Sequence, residues 1–175
     1  MPNWCSNNFT ITGDVDTLRP LWEATQQEDN PQFLEAIAPI GDWEYGNAVD
    51  AWGTKWDVNT DGMQFKDNGD GTAEICGFFD SAWSPPVEAF HTLSEDLDSC
   101  YLELHYFEPG MCFVGYWDSE GADDHYEIDT EADDMGIPEY LEEEWNVSEW
   151  YGTGEDEDEV VFEDVDQDTL DKEFG

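Results

Sequence analysis

A fold built from this sequence has almost no cation with which to neutralise a carboxylate. Arg19, Lys55, Lys66 and Lys172 stand against 46 Asp and Glu residues, a formal net charge of -42 with the histidines neutral. Such a chain folds only by keeping nearly every acid in water, so the core must come from what remains. That material is ample. Hydrophobic residues make up 39% of the 175 positions and aromatics 15%, unlike the acidic, aromatic-poor chains that stay disordered. The length suits one domain of ordinary size with room for an appendage, and can bury a core without disulfide or metal staples.

The same imbalance excludes functions. Four cations cannot neutralise a run of phosphates, so direct nucleic-acid binding is not expected, and chemistry on polyanions would lack a group to stabilise developing negative charge. No stretch approaches 18 apolar residues, and Asn3-Trp4-Cys5 stands where a signal peptide would carry basic residues. We expect no membrane partner and a cytoplasmic location. Cys5, Cys76, Cys100 and Cys112 form no C-x-x-C pair and no zinc spacing with histidine, so they read as reduced, packed thiols.

The acids are unevenly spread: 21 precede Asp118 and 25 lie from Asp118 onward, where Lys172 is the only cation. This places a boundary between a domain at 1–117 and a strongly acidic extension at 118–175 that can pack on the same sheet. The run Glu155-Asp156-Glu157-Asp158-Glu159 reads as a solvated loop or tail, since five adjacent like charges repel in any compact arrangement.

Within 1–117 strand and helix patterns alternate. Asn8 to Thr12 alternates polar and apolar residues and ends at Gly13. Asp14 or Asp16 can cap a helix reaching about Gln27, with Pro20 tolerated only near its start. A short helix is expected at Pro31 to Ile37, then a loop rich in Gly and Trp. Met63 to Lys66 and Thr72 to Phe79 read as strands joined by Asp67-Asn68-Gly69-Asp70-Gly71. A helix over Pro86 to Leu97 is followed by strands at Tyr101 to Phe107 and Cys112 to Trp117, separated by Glu108-Pro109-Gly110. Such an order predicts an α+β, ferredoxin-like sandwich: a mixed or antiparallel sheet with helices on one face. Beyond it, His125 to Asp129 can extend the sheet, Pro138 to Trp145 can form an acidic helix and Val160 to Val165 a further strand.

Three ordered motifs carry a family resemblance: MPNWCSNNFTITG at the start, WGTKWD at Trp52 to Asp57, and Phe79 to Gly115 with SAWSPP and the start of YFEPGMCFVGYW. Over residues 1–117 the chain resembles the YubB-type ferredoxin-like proteins of bacteriophages and plasmids. The resemblance implies a ferredoxin-like fold and a mobile-element origin, hence a host-cell cytoplasm, and it implies no mechanism. The acidic extension from Asp118 departs from it.

Candidate chemistry is sparse. Trp52, Trp56 and Lys55 read either as a cage for a ligand or as a structural turn with packed rings and Lys55 paired to a carboxylate, and we take the second. His91, His105 and His125 have no nucleophile at a diagnostic spacing, and His105 lies on a strand whose Leu102, Leu104 and Tyr106 face the other way. Counting a calcium loop from Asp67 puts Phe78 at position 12, where a Glu is needed, so that segment is read as a turn. No catalytic residue, metal site or cofactor is expected, and the protein is read as a non-enzyme.

The charge itself is the strongest pointer to function. Duplex DNA carries one negative charge per about 1.7 Å, so 42 charges match about 70 Å of duplex, whereas a compact chain of this length is about 40 Å across. The expectation is a phage-encoded DNA mimic that occupies the DNA-binding surface of a basic host protein, in anti-restriction or host takeover. Expected partner-binding residues are Asp123, Asp124, Asp133, Asp134, Glu139, Glu142, Glu143, Glu144, Glu149, Glu155, Asp156, Glu157, Asp158 and Glu159. Tyr140, Leu141, Trp145, Trp150 and Tyr151 are interleaved with them as anchors, or as rings packing the extension. A homodimer would lengthen the negative surface. The alternatives are an acidic adaptor that binds a basic protein without blocking DNA, a surface adapted to high salt, and a small-molecule enzyme with its site near WGTKWD.

Overall fold

A computed structural model describes residues 3–27, 33–131 and 135–151. The chain divides into two compact units, Met1–Tyr126 and Glu127–Gly175.

The first unit opens with β1 (Trp4–Asp14), α1 (Val15–Thr25), α2 (Phe33–Ile37) and α3 (Tyr45–Trp52). It continues with β2 (Met63–Asp67), β3 (Thr72–Ala82), α4 (Val87–Asp96), β4 (Tyr101–Glu108), β5 (Phe113–Asp118) and β6 (Asp123–Glu127), whose last residue falls in the second unit. The strands lie side by side in the order β2-β3-β1-β4-β5-β6. β1 pairs antiparallel with both β3 and β4, and β2 with β3. The first four strands thus have the split βαβ arrangement of a ferredoxin-like fold, and β5 and β6 widen it on the β4 side.

Alternation along β1 sets what each face does. Cys5, Asn7, Phe9 and Ile11 are buried, while Trp4, Ser6, Asn8 and Thr10 are exposed or half-buried. Register carries the buried set onto Ile75 of β3 and onto Leu102 and Leu104 of β4. These residues form one core with Leu18, Phe33, Trp52 and Phe90 of the helices. Phe9 is its centre: its ring lies 5.3 Å from Phe33, 5.6 Å from Phe79 and 5.7 Å from Phe90. Each such ring stabilises the fold by about 1.5–3 kcal/mol through burial alone. α1 to α4 therefore share one face of the sheet, as the element order predicts.

Local details depart from the sequence reading in four places. Pro20 lies well inside α1 rather than at its start, removing one helical hydrogen bond. Asp14 occupies the N-cap but makes no side-chain cap bond; instead the Val15 amide donates to the Gly71 carbonyl of the β2–β3 turn at 2.9 Å. The segment read as a Gly- and Trp-rich loop contains α3, which buries Ala48 and Trp52, four residues apart. It ends at Gly53, whose φ of 86° places it in the left-handed region while its amide bonds Val49 O. The outermost strand, β6, begins at Asp123, two residues before the expected extension.

The second unit contains α5 (Glu139–Trp145) and the short α6 (Val147–Trp150), which was not anticipated. Asn146, at φ 51°, makes the turn between them, and Leu141 and Val147 are buried. The strand expected at Val160 to Val165 lies outside the described residues.

Candidate functional site

The expected partner-binding acids divide into three groups. Asp123 and Asp124 are exposed on β6, at the edge of the sheet. Charges on an edge strand also block pairing with another chain, which is a structural use for them. Glu139, Glu143 and Glu149 are exposed on α5 and α6, and Glu142 and Glu144 are half-buried. Asp133, Asp134, Glu155, Asp156, Glu157, Asp158 and Glu159 lie outside the described residues.

Glu142 is less available to a partner than its sequence neighbours suggest. Its Oε2 accepts the Ser148 amide at 3.2 Å and the Ser148 hydroxyl at 2.6 Å, tying α5 to the start of α6. Of the interleaved apolar residues, Tyr140 and Trp150 are exposed, whereas Leu141 is fully buried.

The described cations are all engaged. Arg19 bonds Asp67 at 2.8 Å and lies 5.0 Å over the Phe65 ring. Lys66 sits 3.3 Å from Glu74 across the β2–β3 pair, and Lys55 Nζ lies 4.6 Å from the Trp56 ring centroid. Two of the three are thus spent on acids, and the third rests on an aromatic ring.

The three motif segments of the sequence converge. Trp4 from the opening motif, Asp57 from WGTKWD, and Phe79 and Asp80 from the third line one cleft of about 460 Å³ in the first unit. The two tryptophans of WGTKWD serve different ends. Trp52 is buried and donates its indole N–H to Ala38 O at 2.8 Å, whereas Trp56 is 38% exposed and lies against Trp4 with ring centroids 6.2 Å apart. A cage made by both is therefore not formed. Lys55 rests on Trp56 rather than on a carboxylate, and the structural reading of this segment holds for Trp52 only.

Asp57 is a long-range helix cap. Oδ1 accepts the amides of Leu34 at 2.6 Å and Val58 at 2.7 Å, and Oδ2 accepts the Glu35 amide at 2.9 Å, so two donors at the start of α2 are satisfied from 22 and 23 residues away. Burial pushes its carboxyl above the usual carboxylate value, against the pull of those amides.

The calcium-like segment is a turn, as its spacing indicated. Asp67 Oδ1 accepts the Gly69 amide at 3.0 Å, and Asp70 Oδ1 accepts both the amide and the hydroxyl of Thr72. Among the described residues no group of three or more His, Cys, Asp or Glu side chains is placed to hold a metal ion, and no helix is long and apolar enough to cross a membrane. All four cysteines are free thiols, with Cys5 and Cys100 buried.

One cluster was not anticipated. On the sheet face opposite the helices, Tyr116 OH donates to Asp118 Oδ2 at 2.8 Å, and Tyr101 OH lies 3.0 Å from Tyr116 OH and 3.2 Å from Glu103 Oε1. His105 packs edge-on against Tyr116 at 4.7 Å, on the face the sequence assigned to it. Burial raises both phenols above their ordinary value, with the neighbouring carboxylates adding to it. Burial opposes ionisation of Asp118, but the Ala122 and Glu120 amides and the two phenols outweigh it and hold its carboxyl below the usual range. Only the register reveals this group: Glu103 pairs with Asp118 and His105 with Tyr116 across β4 and β5, which no spacing along the chain displays.

No curated protein matches the chain. Among solved structures it is similar to the protein Api92 from Yersinia pseudotuberculosis, at 21% identity and a TM-score of 0.36 over 57% of this chain. The chain covers 36% of that structure, about a third of its length. The family described as a ferredoxin-like domain in Api92-like protein matches residues 51–163, which takes in residues 118–163 of the acidic stretch that the sequence motifs do not reach. With that match over more than half its length, and the sheet order to accompany it, the chain belongs to the family of ferredoxin-like domains found in Api92-like proteins.

Proposed function

We propose that this protein is a non-catalytic acidic binding protein that occupies the DNA-binding surface of a basic host protein, its carboxylates standing in for phosphates. The observation that carries the reading is the imbalance of charge on the folded chain. Among the described residues each cation is engaged with an acid or an aromatic ring, and over the full sequence 46 acids stand against four cations. A field of that strength draws in a partner built to grip phosphates and speeds their encounter. The mobile-element origin implied by the YubB-type resemblance supports an anti-restriction or host-takeover role in the host cytoplasm.

The test is capture of host proteins at low salt with duplex DNA as competitor. Displacement by DNA is the expected result. A partner that stays bound while its own DNA affinity is unchanged in a gel shift overturns mimicry in favour of an acidic adaptor.

A further inference from the structure

We propose that the cleft between β1, β3 and the segment before β2 is a binding site for a guanidinium group. This does not rest on DNA mimicry, since the cleft belongs to the first unit and is built by residues outside the expected partner-binding set.

Its volume, about 460 Å³, is that of a small-molecule or side-chain pocket. Trp4, Phe78 and Phe79 supply aromatic surface, and Asp57, Asp61 and Asp80 supply carboxylates. Phe79 belongs to the core, but Phe78 is 68% exposed and Trp4 44% exposed, a costly use of large rings unless something covers them. The wall is held by backbone contact. A Cβ at Gly62 would meet the Phe78 carbonyl at 2.6 Å and Cε2 of its ring at 3.1 Å, and one at Gly77 would collide with the Gly62 carbonyl, so the two glycines let β3 and the Phe78 ring close on this loop.

The lining contains no Lys, Arg or His. Asp57 is committed to three backbone amides, so it sets the field from the floor, while Asp61 and Asp80 are exposed and able to contact a ligand. An anionic ligand is repelled. The neighbouring ring already shows what the surface attracts: Lys55 Nζ rests 4.6 Å over Trp56, and Trp56 lies against Trp4. A guanidinium fits this combination better than an ammonium, because its plane stacks on an aromatic face while its edge presents a fork of donors to a carboxylate. Arginine in a peptide and a free alkylguanidine share this chemistry.

The test is titration of the full chain in 150 mM salt with agmatine, with an arginine-containing peptide, with butylamine and with a neutral hexose, followed by amide and indole NMR shifts. Saturable shifts confined to the Trp4 indole and the amides of 57–62 and 78–80 are expected with agmatine or the peptide. Binding of the peptide alone identifies a protein side chain as the source, and equal binding of agmatine identifies a small molecule. Phe78→Ala and Asp80→Asn, both at exposed positions, should each weaken binding at least tenfold, with Glu143→Gln as a control that leaves it unchanged. Shifts spread over the acidic surface, equal loss in the control, tighter binding of butylamine, or binding of the hexose instead would overturn the assignment.

Discussion

The hydroxyl of Tyr106 on β4 lies 3.0 Å from Nδ1 of His125 on β6, so a side chain of one strand reaches across β5 to hold the strand beyond it. The crossing is made at Gly115, which pairs with Tyr106 in the β4–β5 register. Burial raises the Tyr106 phenol above its ordinary value, with Asp123, Cys5 and Asp124 adding to it, so the phenol keeps its proton in this contact. The two strands added to the ferredoxin-like four are fastened by this bond as well as by their ladder.

Gly115 is the residue that permits the crossing. A Cβ there would collide with the Tyr106 hydroxyl and ring and meet the Asp124 carbonyl at 2.6 Å, so Gly115→Ala should destabilise the first unit by about 1–3 kcal/mol, the usual cost of overpacking. Urea midpoints measure it. Tyr106→Ala removes the obstructing ring, so the double variant should lose less than the two single losses added together. Strict additivity would show that some other group fills the space.

Asp57 holds the start of α2, and Asp57→Ala leaves the Leu34, Glu35 and Val58 amides without their acceptor. The expected loss is about 1–3 kcal/mol. Asp57→Asn gives a sharper reading through pH. Burial raises the folded pKa of Asp57 above its unfolded value, so its titration favours the fold below the unfolded pKa, and that contribution is lost as pH rises through the folded pKa. The stability of the wild type relative to Asp57→Asn should therefore increase on acidification across that window. A difference independent of pH would contradict the raised value.

What the sequence displays here follows from which patterns are local. The strands around Phe9, Ile75 and Leu104, and α4 with Phe90 and Leu93, are written as alternation or helical spacing, and they appear where expected. α3 was hidden because Gly46, Asn47 and Asp50 interrupt it, leaving only Ala48 and Trp52 to mark its buried side. Pro20 was expected at a helix start, yet the apolar packing of α1 through Leu18 overrides the local penalty. The cleft lay in plain view as three separate motifs, but only the pairing of β1 with β3 brings Trp4 to the level of Ala82 and so near Asp80. The Tyr101 and Tyr116 cluster depended on strand register and had no signature along the chain.

Charge repulsion should be visible in the fold's response to salt. At -42, with the described cations already engaged, screening acts mainly on like charges. Raising sodium chloride from about 10 mM to about 500 mM shortens the Debye length from about 30 Å to under 5 Å, and the melting temperature should rise by several degrees. A melting temperature that falls with salt would mean that attractive pairs outweigh the repulsion.

The Asp118 carboxyl is held low by two amides and two phenols acting against its burial. Tyr116 OH is 2.8 Å from Asp118 Oδ2 and Tyr101 OH is 3.3 Å away, and each phenol has a single proton to give. When Tyr101 is replaced by Phe, Tyr116 keeps its 2.8 Å bond to Asp118, shorter than its 3.1 Å approach to Glu103, so the pKa of Asp118 should stay nearly where it was. When Tyr116 is replaced by Phe, the shorter bond is lost and Tyr101 must choose between Asp118 and Glu103, so the pKa should rise toward the ordinary carboxylate value. The lowered value contributes stability above the unfolded pKa, and that contribution disappears as pH falls through the folded one. Tyr116→Phe should therefore lose more stability at neutral pH than at a pH below both values, whereas Tyr101→Phe should show a smaller difference. Carboxylate carbon shifts in an NMR titration read the pKa directly, and equal shifts in the two variants would show that the phenols share the acid evenly.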